Sequence, residues 1–408
     1  PNDSEIESEL NSTDLQLNYL ELELNDGSTK IFENEDELFK FIEDIQSKFL
    51  SQRENKEDVD YDALTIIKDI CDEFIKTQQS NLHKCYYYRA YVNYFVYDEY
   101  EIAIEDLNNA IDLNAVNHEY YYLRGKSHAF NNDVDSAIND YTISLELKFD
   151  LDTNRRLALA YLNKGDFGKA EKEYLKLLEL YPDDEDVNYY YAYLLFSQTN
   201  YEQAEMYYQK AIDIDPDDIG NWIGAGANFH WWGEYEKALE KTLVAYEMDP
   251  EDWMVNFNIG EHYQGLEKHN IALPFYSKAL ELYDIDPTLF LRRGISYFAI
   301  NDFENAILDF SAAVEIDQQH EDAFFWLGKS KYNLQEFDDA ISSFSQAMRY
   351  DPDNGEINYY RGLSYYSTDQ IDKAFTDFEL AKTKGVSNKT LIELNSKLEE
   401  INILLGNN

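Results

Sequence analysis

The chain has 408 residues, 44% hydrophobic and 15% aromatic, which is too rich in apolar side chains for a disordered polymer. Its 81 acids against 34 bases leave a net charge of −47, which argues against direct nucleic-acid binding and favours basic partners. With 16 Gly and 7 Pro it is not an all-β protein of many tight turns, and it holds no apolar stretch long enough for membrane insertion.

Residues 1–82 are expected to form an acidic N-terminal segment. The first ten residues carry four acids and no base, so they do not read as a signal peptide. A cytoplasmic location is expected, an upstream signal aside. Residues 15–32 alternate apolar and polar around Asn25, Asp26 and Gly27, the signature of a β-hairpin. Residues 33–49 and 61–77 read as amphipathic helices, with the solvated stretch 51–60 between them. Such a segment suits a cap, a degenerate repeat or a small α+β docking module. Cys71 and Cys85 form neither a disulfide framework nor a metal spacing.

From residue 84 one alanine recurs in a fixed frame, at Ala103, Ala137, Ala170, Ala204, Ala238, Ala272, Ala306, Ala340 and Ala374. The gaps are 34 residues, once 33. Four residues later stands a large side chain, such as Tyr141, Tyr208, Phe310 or Phe378, with Thr242 the one departure. Twelve before the alanine a small residue recurs, among them Gly125, Ala158, Gly260 and Gly328. Asp-Pro or Tyr-Pro turns close several units, as at Pro182, Pro216, Pro250 and Pro352. Each unit therefore carries two apolar helical stripes separated by a turn, and small residues let the two helices approach.

This pattern resembles the tetratricopeptide repeat, most clearly in NWIGAGANFHWWGEYEKALEKTLVAYEMDP and FFWLGKSKYNLQEFDDAISSFSQAMRYDP. The resemblance implies an all-α superhelix, an α-solenoid of about nine helical hairpins over residues 84–386. A capping helix is expected over 387–408, with Leu391, Leu394, Leu398, Ile401 and Leu405 inward. One hairpin cannot bury its own apolar faces, so neighbours stack and leave a concave groove.

Arg124, Arg293 and Arg361 each precede the glycine of their unit, and sixteen residues on stand Asp140, Asp309 and Asp377. Units with Leu157, Ala225 or Leu327 in the arginine slot lack that aspartate. The covariation predicts a structural pair between the two helices of one hairpin. Repeated DPDD-type acids are expected at turns and helix N-caps.

No catalytic motif, phosphate loop or Cys-x-x-Cys occurs, and the histidines are scattered, so no enzyme, cofactor or metal is expected. The family's groove is lined by the inner face of each first helix. In unit order the frame selects Tyr122, Lys126 and Phe130, then Arg155, then Tyr189, Tyr193 and Phe196. It continues through His230 and Trp231, Phe257, Phe298, then Phe325, Lys329 and Tyr332, and ends at Tyr359 and Tyr366. Tyr88, Val92 and Phe95 extend the row in the first unit, in a looser register set by Arg89. The lining is aromatic, and its few cations are not grouped as in the chaperone-binding members. The expected function is a scaffold or adaptor that binds an apolar or aromatic protein segment with basic flanks. Two rivals are an acidic immunity or inhibitor protein that neutralises a basic toxin or nucleic-acid-binding protein, and a self-associating structural array.

Overall fold

The repeat's alanine is where two helices touch. Every one of the nine, from Ala103 to Ala374, is fully buried. Opposite it the glycine of the first helix meets the aromatic of the second. A Cβ added at Gly125 would sit 2.7 Å from the Tyr141 ring, and one at Gly328 2.6 Å from Phe344. The sixteen-residue spacing of glycine and aromatic is thus a packing lock.

The structure, a computed structural model, describes residues 20–23, 29–54, 61–76 and 80–404. The hairpin turn expected at Asn25, Asp26 and Gly27 lies outside them, as do residues 15–19, residues 55–60 and Leu405. The chain divides into two compact units, Pro1–Pro182 and Asp183–Asn408.

Unit 1 opens with an antiparallel ribbon, β1 (Leu20–Glu23) and β2 (Thr29–Phe32), in which Leu20 faces Phe32. Two helices follow, α1 (Glu35–Glu54) and α2 (Tyr61–Lys76). Hairpins then form from α3 (Leu82–Phe95) with α4 (Tyr100–Leu113), and α5 (His118–Phe130) with α6 (Val134–Leu147). The last pair is α7 (Leu151–Asn163) with α8 (Phe167–Leu180). Phe39, Phe49 and Phe74 join Tyr88 and Tyr91 in one buried cluster, so the N-terminal helices share the core of the first hairpin.

Unit 2 continues the pattern with α9 (Glu185–Ser197), α10 (Tyr201–Ile214), α11 (Ile219–Trp232) and α12 (Tyr235–Met248). Next come α13 (Trp253–Gly265), α14 (His269–Leu282), α15 (Pro287–Ala299) and α16 (Phe303–Ile316). It closes with α17 (Glu321–Asn333), α18 (Phe337–Tyr350), α19 (Gly355–Ser367), α20 (Ile371–Lys384) and α21 (Asn388–Leu404). Leu394, Leu398 and Ile401 of α21 are buried against the last hairpin, which they close.

The turns inside the hairpins repeat as strictly as the helices. Asp98, Asn132, Gly165, Thr199, Gly233, Glu267, Asn301, Gln335 and Asp369 all have positive φ, between 53° and 85°. In each turn this left-handed residue lets the chain bond back to the helix it leaves, as in Asp133 N to His128 O at 2.9 Å. Next comes the cap of the second helix: Asp133, Asp166 and Asp302 accept from the backbone N–H three residues on. The first helices are capped alike by Asp150, Asp184 and Asp252, so part of the chain's acidity is spent at helix N-termini.

Thr199 is β-branched and exposed at φ 60°, where only a side chain without a Cβ avoids strain. Thr199→Gly is therefore expected to raise stability by about 1 kcal/mol. Urea unfolding would show it as a higher midpoint. Asn301→Gly, which removes a residue that tolerates the left-handed region, should gain less.

Candidate functional site

In four hairpins an arginine fork joins the two helices and reaches back to the helix before them. Arg124 donates from Nε and Nη2 to Asp140, both at 2.7 Å, and from Nη1 to Asn108 of the preceding hairpin. Arg293 bonds Asp309 at 2.9 and 2.7 Å and reaches back to Ser277. Arg361 bonds Asp377 at 2.7 and 2.8 Å and reaches back to Ser345. The aspartates are buried and the guanidinium groups are spent on them, so these pairs hold helices together. Arg89 does the same in the first hairpin, gripping Asp106 and, on α2, Asp72. Its seventeen-residue spacing to Asp106 hid it from the sixteen-residue rule.

The residues picked by the groove frame fall into four groups. In unit 1, Tyr122, Lys126 and Phe130 lie along α5. Lys126 is only 8% exposed and points its Nζ at Tyr94 and Phe95, 4.7 Å from each centroid, and at Tyr122, 5.5 Å away. Burial, aided by nearby Arg156, lowers its pKa to about 7. Tyr122 donates its hydroxyl to Asp152, which Arg155 and Arg156 also contact. Phe130 is 56% exposed and stacks on Tyr100.

The first-unit face of Tyr88 and Phe95 is not open. Helix α1 lies on it: Tyr88 donates to Glu43 at 3.3 Å, and Phe49 packs edge-on against Tyr91 and Phe95. Between α1, α3, α5 and α7 remains a cavity of about 500 Å³ lined by Gln46, Tyr87, Tyr91, Tyr122 and Lys126, among others.

In unit 2 the second group is Tyr189, Tyr193, Phe196, His230 and Trp231. Tyr189 is spent on packing against Tyr208. Tyr193 is 39% and Trp231 61% exposed, on successive first helices α9 and α11, with Phe196 stacked on Tyr193. His230 faces inward instead, its Nδ1 3.1 Å from that of buried His262.

The third group centres on Lys329. Its Nζ lies 4.1 Å from Trp326, 5.0 Å from Tyr360 and 5.3 Å from both Phe298 and Phe325. Tyr332 packs on Phe337, and Phe257 packs on Tyr276.

The fourth group is covered. Tyr359 is buried and donates to Glu393 of α21, while Tyr366 bonds Glu400 and carries Lys397 over its ring. The closing helix therefore takes these two tyrosines out of any open groove. The frame also missed a lining position two residues before the small one, held by Arg156, Trp326 and Tyr360. Its aromatic members were visible in the sequence, but only the helix crossing shows that they face the lysines.

The described residues hold no cluster of three or more metal-ligating side chains, and no described helix is long and apolar enough to cross a membrane. Family models for the tetratricopeptide repeat match residues 155–219, 325–385 and 287–320. Those segments are tetratricopeptide repeats. Among solved structures its fold resembles a tetratricopeptide repeat protein from Parabacteroides merdae, at 20% identity and TM-score 0.52. That match covers 61% of this chain and 98% of the other. It also resembles the APC/C hetero-tetramer Cut9-Hcn1, at 15% identity and TM-score 0.51, over 78% of this chain and 76% of that one. No curated protein matches the sequence. Stacked tetratricopeptide repeats are a scaffold for protein–protein interaction, and the helices of both units are built to that plan.

Proposed function

We propose that this scaffold takes a protein or peptide segment on the first-helix face of unit 2, where Tyr193 and Trp231 grip apolar side chains. The observation that carries this reading is their exposure, 39% and 61%, on successive first helices. A large exposed aromatic is costly in water and characteristic of binding hot spots. The net charge of −47 favours a segment with basic flanks, which the acidic field would steer toward the rings.

The test uses a panel of fluorescein-labelled twelve-residue peptides that combine aromatic or leucine anchors with lysine flanks. Fluorescence anisotropy would be read for wild type and for Tyr193→Ala/Trp231→Ala, in low salt and in about 0.5 M salt. The expected result is binding that survives salt and weakens about 30-fold or more in the double variant, as loss of two aromatic anchors implies. Binding that vanishes in salt and ignores the substitutions would instead support neutralisation of a basic partner by charge alone.

A further inference from the structure

Arg53, Lys126 and Arg156 converge on one pocket of unit 1, of about 280 Å³. They come from α1, α5 and α7, so the fold gathers like charges that the sequence keeps far apart. Shared rings mark how close they are. The Phe95 centroid lies 5.2 Å from the Arg53 Cζ and 4.7 Å from the Lys126 Nζ. Tyr122 likewise lies 5.5 Å from the Lys126 Nζ and 6.0 Å from the Arg156 Cζ.

Acids do not balance this group. Arg156 bonds Asp152 at 3.1 Å, but neither Arg53 nor Lys126 has a carboxylate partner among the described residues. Asp98, the acid in the pocket wall, accepts the Tyr100 hydroxyl at 2.9 Å. In a chain of net charge −47, three basic side chains face two acids here, Asp98 and the paired Asp152, so the pocket keeps an excess of bases where the chain as a whole has an excess of acids. Lys126 is the most responsive member: burial disfavours its charged form, nearby Asp152 offsets that only in part, and an anion in the pocket would favour the ammonium. Beside it Phe130 stacks on Tyr100 at 5.3 Å and meets Tyr94 edge-on at 5.6 Å, which leaves an apolar shelf open at the pocket mouth.

We propose that this pocket binds a single anionic group, a carboxylate or a phosphate, on a ligand whose ring or apolar part rests on the Tyr94–Tyr100–Phe130 shelf. Arg53 and Lys126 supply the free donors, and Arg156, already held by Asp152, adds positive potential. The site concerns unit 1 and an anion, so it stands or falls separately from basic-flanked binding on unit 2. It also gives α1 a role beyond covering the first hairpin, because Arg53 completes the pocket from outside the repeats.

Calorimetric titration of the full chain tests this with N-acetyl-phenylalanine, its uncharged amide, N-acetyl-phosphotyrosine amide and N-acetyl-tyrosine amide. An anionic probe should bind with a Kd below about 1 mM, and its uncharged counterpart should bind about tenfold more weakly or not at all. Binding of the free acid alone assigns a carboxylate ligand, and binding of the phosphotyrosine probe alone assigns a phosphate. Arg53→Gln should weaken the bound probe about tenfold with an unchanged thermal melt, because Arg53 is exposed. Lys329→Gln, in unit 2, should leave it unchanged. The proposal is overturned if neither anion binds, if the uncharged probes bind equally well, or if Arg53→Gln has no effect.

Discussion

Arg361→Met is expected to destabilise the last hairpin of unit 2 by about 3–5 kcal/mol, the usual cost of leaving one charge of a buried pair without its partner. Asp377 is 2% exposed and takes both oxygens' bonds from the Arg361 fork, at 2.7 and 2.8 Å. After the substitution only Asn358, at 3.2 Å, still donates to it. The carboxylate must then ionise unpaired, draw in water or take up a proton, and each route is costly in a packed interface. The lost Arg361 bond to Ser345 also loosens this hairpin from the one before. Arg361→Met/Asp377→Leu removes both charges and should recover most of the loss. Hydrogen exchange on α19 and α20 would measure the effect where it arises, since repeat arrays open locally. Equal losses in the single and double variants would show that packing, and not the stranded carboxylate, sets the cost.

That pair was legible because two residues vary together in one frame, and a period this strict can be read without coordinates. The alanine, the glycine and the aromatic opposite it were legible for the same reason: each sits where helix spacing leaves room for one size of side chain. The left-handed turn residue has the same period but was recognisable only at Gly165 and Gly233. Elsewhere Asp, Asn, Thr, Glu or Gln fills it, and none of these announces a positive φ. Tertiary packing imposes the turn there against local preference.

The site was less legible because it depends on what covers what. Tyr359 and Tyr366 satisfy the groove frame as well as Tyr193 does, yet α21 lies over them and nothing covers Tyr193 to that degree. Arg53 belongs to no repeat, so no frame could place it beside Lys126. Arg155 and Arg156 are neighbours in sequence, and only the course of α7 shows which of them lines the Lys126 pocket. The lysines themselves were chosen as breaks in an aromatic row. In the structure they are its centres, each held by rings drawn from its own helix and adjacent ones.

His262 accounts for the one unit that lacks the usual aromatic, and a pH-dependent loss of stability should follow from it. Thr242 stands in the aromatic slot, packed directly on Gly226. The ring of His262 is 1% exposed, with its Nε2 3.0 Å from the Thr242 hydroxyl and its Nδ1 3.1 Å from His230. Hydrogen bonding alone would permit a charged ring, which could donate at both nitrogens. Burial forbids it, with His230 as a second cause, and holds the pKa down to about 3. The unfolded chain takes up this proton near pH 6.5, whereas the folded chain does not until far lower, so stability present above pH 6.5 drains away as the pH falls. Two pH units below that value correspond to about 2–3 kcal/mol. Urea unfolding of wild type and His262→Gln at pH 7 and 4.5 isolates this contribution from that of the many carboxylates, which both proteins share. Wild type should lose about 2–3 kcal/mol more than the variant over that range. Parallel losses would mean that His262 is charged in the folded protein, and that an acid such as Glu261 turns from Arg292 to meet it.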